Sequence, residues 1–152
     1  MGQKKEARHD SWIRDAELLI VADLVAREPE LDWVITGDFN DVAWSHTTRL
    51  FQRVSGLKDP WTGRGLFNTC HAQCPLLRFS IDHLYLSSTA RVEWLKRLRP
   101  AGSDHFALTM AFSLEGQSAE SPEPVGNDRE EANDMITEGV EDARRSDEME
   151  TQ

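Results

Sequence analysis

The chain has little that would staple it together or anchor it in a bilayer. It has only two cysteines in 152 residues, Cys70 and Cys74. They do not make a disulfide framework and suit a reducing compartment. No apolar run approaches the roughly 18–20 residues that a membrane-spanning helix needs. The opening MGQKKEARHD has a few basic residues but no apolar stretch behind it, so it does not read as a signal peptide. The default expectation is a cytoplasmic protein. Basic residues are scarce at one end only. Residues 115–152 carry 3 Arg against 13 acids, whereas residues 1–114 balance 14 Lys+Arg against 14 Asp+Glu. The net charge of -10 therefore belongs to the C-terminal segment and does not by itself exclude nucleic acid. The neutral balance over 1–114 argues against a dedicated DNA-binding surface, which would be basic.

What is present divides into three parts. Residues 1–10 are polar and expected to be flexible. Residues 11–114 alternate helix-like and strand-like patterns. Residues 115–152 have no aromatics and are rich in Ser, Pro, Gly and acids, the composition of an acidic disordered tail. In the middle part, the spacing of Ile13, Ala16, Ile20 and Leu24, widened by Leu18, Val21, Ala22 and Val25, predicts an amphipathic helix. Ser11 is its expected N-cap, and Glu28-Pro29 its stop. A short β-branched run over 32–36 leads into the polar loop Gly37-Asp38-Phe39-Asn40-Asp41. A second helix is expected from Ser45 to Val54, ending at Gly56. Strands are expected over Phe79–Leu86, Arg91–Leu95 and Phe106–Phe112. The fold class is α/β.

Three short elements stand at or near the ends of apolar strands: GDFND at 37–41, SIDHLYLS at 80–87 and GSDHFAL at 102–108. A rigid scaffold presents polar side chains together at such ends. Asp38 and Asn40 are two apart, so extended backbone puts them on one side. Asp82 lies in an apolar strand and needs a partner. His105 suits it, because a carboxylate on one imidazole nitrogen fixes the tautomer and stabilises the imidazolium.

In that order and spacing, GDFN, IDH and GSDH resemble the C-terminal signature of the endonuclease/exonuclease/phosphatase superfamily, over roughly residues 11–114. The resemblance implies the C-terminal half of a four-layer, DNase I-like α/β sandwich, with a mixed, mostly antiparallel sheet flanked by helices. It also implies a phosphoester hydrolase using Mg²⁺ or Mn²⁺, with nucleic acid, a phospholipid or a small phosphodiester as substrate. Asp38 would orient and deprotonate the attacking water, and Asn40 would hold it or steady the phosphate. His105 would hydrogen-bond the phosphoryl oxygen, Asp82 would orient His105, and Asp104 would lie at the metal.

The family's principal glutamate ligand, borne on a strand of the N-terminal half, has no counterpart ahead of Asp38. Glu17 falls on an expected helix, and Glu28 and Glu30 flank Pro29 in a turn. The expectation is thus an incomplete domain, needing a complementing N-terminal segment or working as a non-catalytic binding form.

Blander readings stand beside these. Gly-Asp-x-Asn is ordinary turn chemistry. It is not an EF-hand, since Val42 and Arg49 occupy positions that need acids. Cys70-His71-x-x-Cys74 lacks the second ligand pair of a zinc finger. In the resembling family the position of His83 is usually an aromatic, which favours packing. Trp44 and Trp61 lie in or beside loops, where they would stack a base or cover the core.

Overall fold

The computed structural model describes residues 3–39, 44–62, 82–99, 107–114 and 120–150. In chain order the elements are α1 (Gln3–Arg27), β1 (Val34–Asp38), α2 (His46–Ser55), β2 (Asp82–Leu86), β3 (Ala90–Leu98), β4 (Ala107–Leu114) and α3 (Asp128–Glu150). Helices and antiparallel strands thus alternate in an α/β fold. Where a single sheet was expected, the described strands form two separate antiparallel ribbons, β1–β2 and β3–β4. The β3–β4 ribbon carries a bulge between Val92 and Trp94. Its Trp94 and Phe112 remain exposed.

The β1–β2 ribbon is tied to the second helix by the local chemistry of α2. Ser45 caps that helix, its Oγ accepting from the Thr48 amide at 3.0 Å. Gly56 closes it in the left-handed region, at φ 69°, with its N–H donating to the Gln52 carbonyl. This turn delivers Lys58 directly alongside β2, where Lys58 and Leu86 exchange backbone hydrogen bonds at 2.8 and 3.0 Å. Strand β2 therefore has β1 on one side and Lys58 on the other. Its residues His83 to Leu86 are all buried.

The first helix departs from its expected form. It starts at Gln3 rather than after a Ser11 cap, because Lys4, Lys5, Glu6, Ala7 and Arg8 are good helix formers and extend it upstream. The flexible start is replaced by helix from Gln3 onward. It does stop at Arg27, before Pro29. Its buried stripe is Ala16, Leu19, Ala22 and Val25, whereas Ile20 and Leu24 are exposed. The helix packs on both α2 and α3, and the small side chains of Ala16 and Ala22 allow the closest approach. Packing thus rotates the buried face away from the most hydrophobic stripe.

The segment expected to be an acidic disordered tail contains a helix. Residues 128–150 form α3, whose Ala132 joins the core while Met135 and Ile136 pack against it. Its seam is made of small and medium side chains spaced three and four apart, with acids such as Glu130, Asp134, Glu138 and Glu141 exposed on the outer face. Mean composition hides such a seam. At its centre Gly139 lies so close to α1 that an added Cβ would stand 2.2 Å from the Ala16 Cβ. At its start, Arg53 of α2 donates from Nε to Asp128 Oδ2 at 2.6 Å and from Nη2 to Oδ1 at 3.0 Å. The Val125 amide donates to the same carboxylate at 2.7 Å. A second link joins His46 Nε2 and Glu131 Oε1 at 2.8 Å.

Two outcomes follow from this docking. Gly139→Val inserts three carbons where none fits, and is expected to lower stability by about 1–3 kcal/mol. Urea unfolding measures that cost, and limited proteolysis should show cleavage moving into 128–150. The Arg53 hydrogen bond, helped by that from Val125, holds the Asp128 carboxyl down at about 2 from an ordinary 3.8. A carboxyl whose folded value is depressed stabilises the fold above its unfolded value and loses that contribution as pH falls through the folded one. Peptic cleavage of α3 should therefore accelerate between pH 3.8 and about 2, and Asp128→Asn should remove that acid step.

Candidate functional site

The antiparallel register of β1 and β2 pairs Val34 with Leu86 and, at the other end, Gly37 with His83 and Asp38 with Asp82. Two of the residues singled out from the sequence therefore stand opposite each other at one end of the ribbon. The Asp38 side chain is exposed. Asn40, Asp104 and His105 lie outside the described residues, as do Cys70, His71 and Cys74. In the sequence, Asn40 follows the end of β1 by two residues, and Asp104 and His105 come just ahead of β4.

Behind this end lies an aromatic cluster. The Phe39 ring stacks on His83 with centroids 4.9 Å apart and planes 24° from parallel. It also stacks on Tyr85 at 5.8 Å and meets Phe51 of α2 edge-on at 5.9 Å. The His83 and Tyr85 rings are 6° from parallel, and Tyr85 Oη and His83 Nδ1 share a hydrogen bond at 3.2 Å. Both residues are buried. His83 thus has the packing role that the blander reading gave it. Trp61 is buried as well and covers the core, while Trp44 is exposed beside the α2 cap.

Electrostatically, the feature missed in the sequence is Asp59. It follows Lys58, which the Gly56 turn places against β2, and its Oδ1 accepts from the Trp61 amide at 2.7 Å. Burial pushes its carboxyl up, opposed by the Trp61 hydrogen bond and by the charge of nearby His83. Asp59-Pro60 looks like ordinary turn chemistry, so no local signal marks it.

A cavity of about 430 Å³, lined in part by Leu31, Trp33, Arg53, Ser87, Thr89 and Pro122, opens at the start of β1. Five residues of strand separate the two ends of β1, about 13 Å at the usual rise. The cavity is therefore not the Asp38 end of the ribbon. Glu28 and Glu30 lie at the cavity end as well: Glu30 lines the cavity, and the Glu28 carbonyl accepts from Trp33 Nε1 at 3.1 Å. Glu17 is on the exposed side of α1. Among the described residues, no three His, Cys, Asp or Glu side chains gather as a metal cluster. No described helix is long and apolar enough to cross a membrane.

Asp59 generates a signed prediction. A carboxyl whose folded value is raised favours the fold at pH below its unfolded value, and that contribution is lost as pH rises through the folded value. Asp59→Asn keeps an acceptor for the Trp61 amide and removes the charge. Its urea midpoint should equal or exceed that of the parent chain at pH 7, with the difference vanishing near pH 3. A lower midpoint at pH 7 would contradict this assignment.

No curated protein and no solved structure matches the chain. The sequence profile described as the Endonuclease/Exonuclease/phosphatase family matches residues 3–105, which include β1, α2, β2 and β3. The match spans more than half of the chain and contains all three motifs, GDFN, IDH and GSDH. With a family domain that is DNase I-like and an α/β fold of its own, the chain belongs to the endonuclease/exonuclease/phosphatase family.

Proposed function

We propose that the chain is a metal-dependent phosphoester hydrolase of phosphodiesterase, endonuclease or phosphatase type, with its site at the Asp38–Asp82 end of the β1–β2 ribbon. The observation that carries this reading is the register itself. The GDFN and IDH segments come from positions far apart in sequence, and their aspartates are direct backbone partners. One of them, Asp38, faces solvent, where a phosphoester and its attacking water can reach it.

The chemistry is in-line attack on phosphorus, in which positioning and charge stabilisation matter most. Asp38 orients the water and takes its proton. Asn40 steadies the phosphate, His105 donates to the phosphoryl oxygen as charge develops, and Asp82 holds His105 in the donating orientation. The donor chemistry of this end is carboxylate oxygen, which fits Mg²⁺ or Mn²⁺; Mg²⁺ commonly uses one or two carboxylates together with substrate phosphate. Asp104 would be the ligand from this chain, direct or through water. When bound, the ion would polarise the phosphoryl oxygen and offset its charge.

A second reading is favoured by where the upstream glutamates lie. Glu17 is on α1, and Glu28 and Glu30 sit in the turn at the far end of β1. The principal carboxylate ligand then comes from a complementing N-terminal segment, or the chain keeps the fold and binds phosphoesters without cleaving them.

Hydrolysis of bis-p-nitrophenyl phosphate with Mg²⁺ or Mn²⁺ separates the two readings. The first expects metal-dependent turnover that falls by roughly 10²–10³ in both Asp38→Ala and His105→Ala. A folded chain with no turnover above the variants would overturn it and favour the second.

A further inference from the structure

Phe39 occupies an unusual place in the motif. It directly follows Asp38, and alternation along extended backbone turns the two to opposite sides. Its ring packs against the core while Asp38 faces solvent. The inward residue thus sets the angle at which its outward neighbour Asp38 leaves the ribbon. Its strongest ring contact is with His83, at 4.9 Å and nearly parallel. His83 is also held by the parallel ring and the hydroxyl of Tyr85, which itself touches Phe39, so the three rings support one another.

The backbone leaves room for this arrangement. His83 is the Cα partner of Gly37, so no side chain rises from β1 opposite its ring. A Cβ added at Gly37 would meet the Phe39 ring at 3.7 Å, an ordinary contact, but a branched side chain would push into that ring. Gly37, Phe39, His83 and Tyr85 therefore form one device, with Phe51 closing its edge.

We propose that His83 is a positioning residue for the phosphoester site, holding the strand end at Asp38 through its stack on Phe39. The inference rests on the hydrolase reading above, because it gives the stack a reaction to serve. Misplacing a reacting group by about 1 Å can cost on the order of 10²-fold in rate, so a ring that sets Asp38 acts on turnover without touching substrate.

The test compares His83→Ala, His83→Phe and Phe39→Leu with the parent chain by two readouts. The first is amide hydrogen exchange at Gly37, Asp38 and Phe39. The second is the split between kcat and KM on bis-p-nitrophenyl phosphate with Mn²⁺. His83→Ala should speed exchange at these three amides at least tenfold while α2 and α3 stay protected, and should lower kcat by roughly 10–10² with KM little changed. His83→Phe restores a stacking ring and should return both readouts most of the way to the parent values. Phe39→Leu keeps apolar bulk but loses the stack, and should resemble His83→Ala even if the latter folds poorly. Parent-like exchange in both His83→Ala and Phe39→Leu would overturn the proposal. Failure of His83→Phe to restore protection would overturn the role of ring stacking. Absence of turnover in the parent chain would instead count against the hydrolase reading, and the exchange data would still decide whether His83 positions the strand end at Asp38.

Discussion

The pairing register of β1 with β2 is the constraint on which the rest depends. Side chains alternate along a strand, so a slip of one residue would send every side chain of β1 to the opposite face. Asp38 would leave solvent and Phe39 would leave its stack on His83. The register is held by apolar burial along β2 and by links at the far end. There the Trp33 amide donates to Ser87 Oγ at 2.7 Å, and the Ser87 amide donates to the Trp33 carbonyl at 3.0 Å. Thr89 adds a hydrogen bond to Asp32. The placement of Asp38 and Phe39 at one end of the ribbon is thus set in part by polar fastening at the other.

The helices serve this ribbon in turn. Helix α2 ends at Gly56, whose left-handed backbone sends Lys58 along β2 and brings Asp59 beside His83. Helix α1 covers α2, and α3 covers α1 through Gly139. The family match ends at residue 105, so α3 lies beyond it. Its attachment by Arg53–Asp128 and His46–Glu131 stiffens α2 from outside the matched region. Small residues at the α1–α3 seam bring those two backbones close, and the Arg53 and His46 side-chain links hold α3 to α2.

Local signals in the sequence carried as far as local physics reaches. Ser45 and Gly56 bracket α2 to within a residue, because capping depends on neighbours only. The strand expected over 32–36 runs on through Gly37 and Asp38, which were read as loop, because pairing with the IDH segment extends it. Three features were not legible, each for a tertiary reason. The buried face of α1 is chosen by two helices that pack on it, not by its own strongest apolar stripe. Helix α3 was hidden because Ala132, Met135 and Gly139 make a seam of low hydrophobicity within a highly acidic segment. Asp59 looked like a turn residue, and its burial depends on a strand more than 20 positions later. Asn40, Asp104 and His105 remain expectations from the motifs, lying outside the described residues.

The central claim is that a divalent ion and a phosphoester meet at the Asp38–Asp82 end of the ribbon. Paramagnetic broadening of backbone amides by Mn²⁺ tests it most directly, since the effect falls steeply with distance and does not require turnover. The account predicts that Gly37, Asp38, Phe39, Asp82 and His83 broaden at the lowest Mn²⁺ concentrations, and that Mg²⁺ reverses the effect. Broadening centred on the acidic outer face of α3, with the ribbon end unaffected, would contradict it.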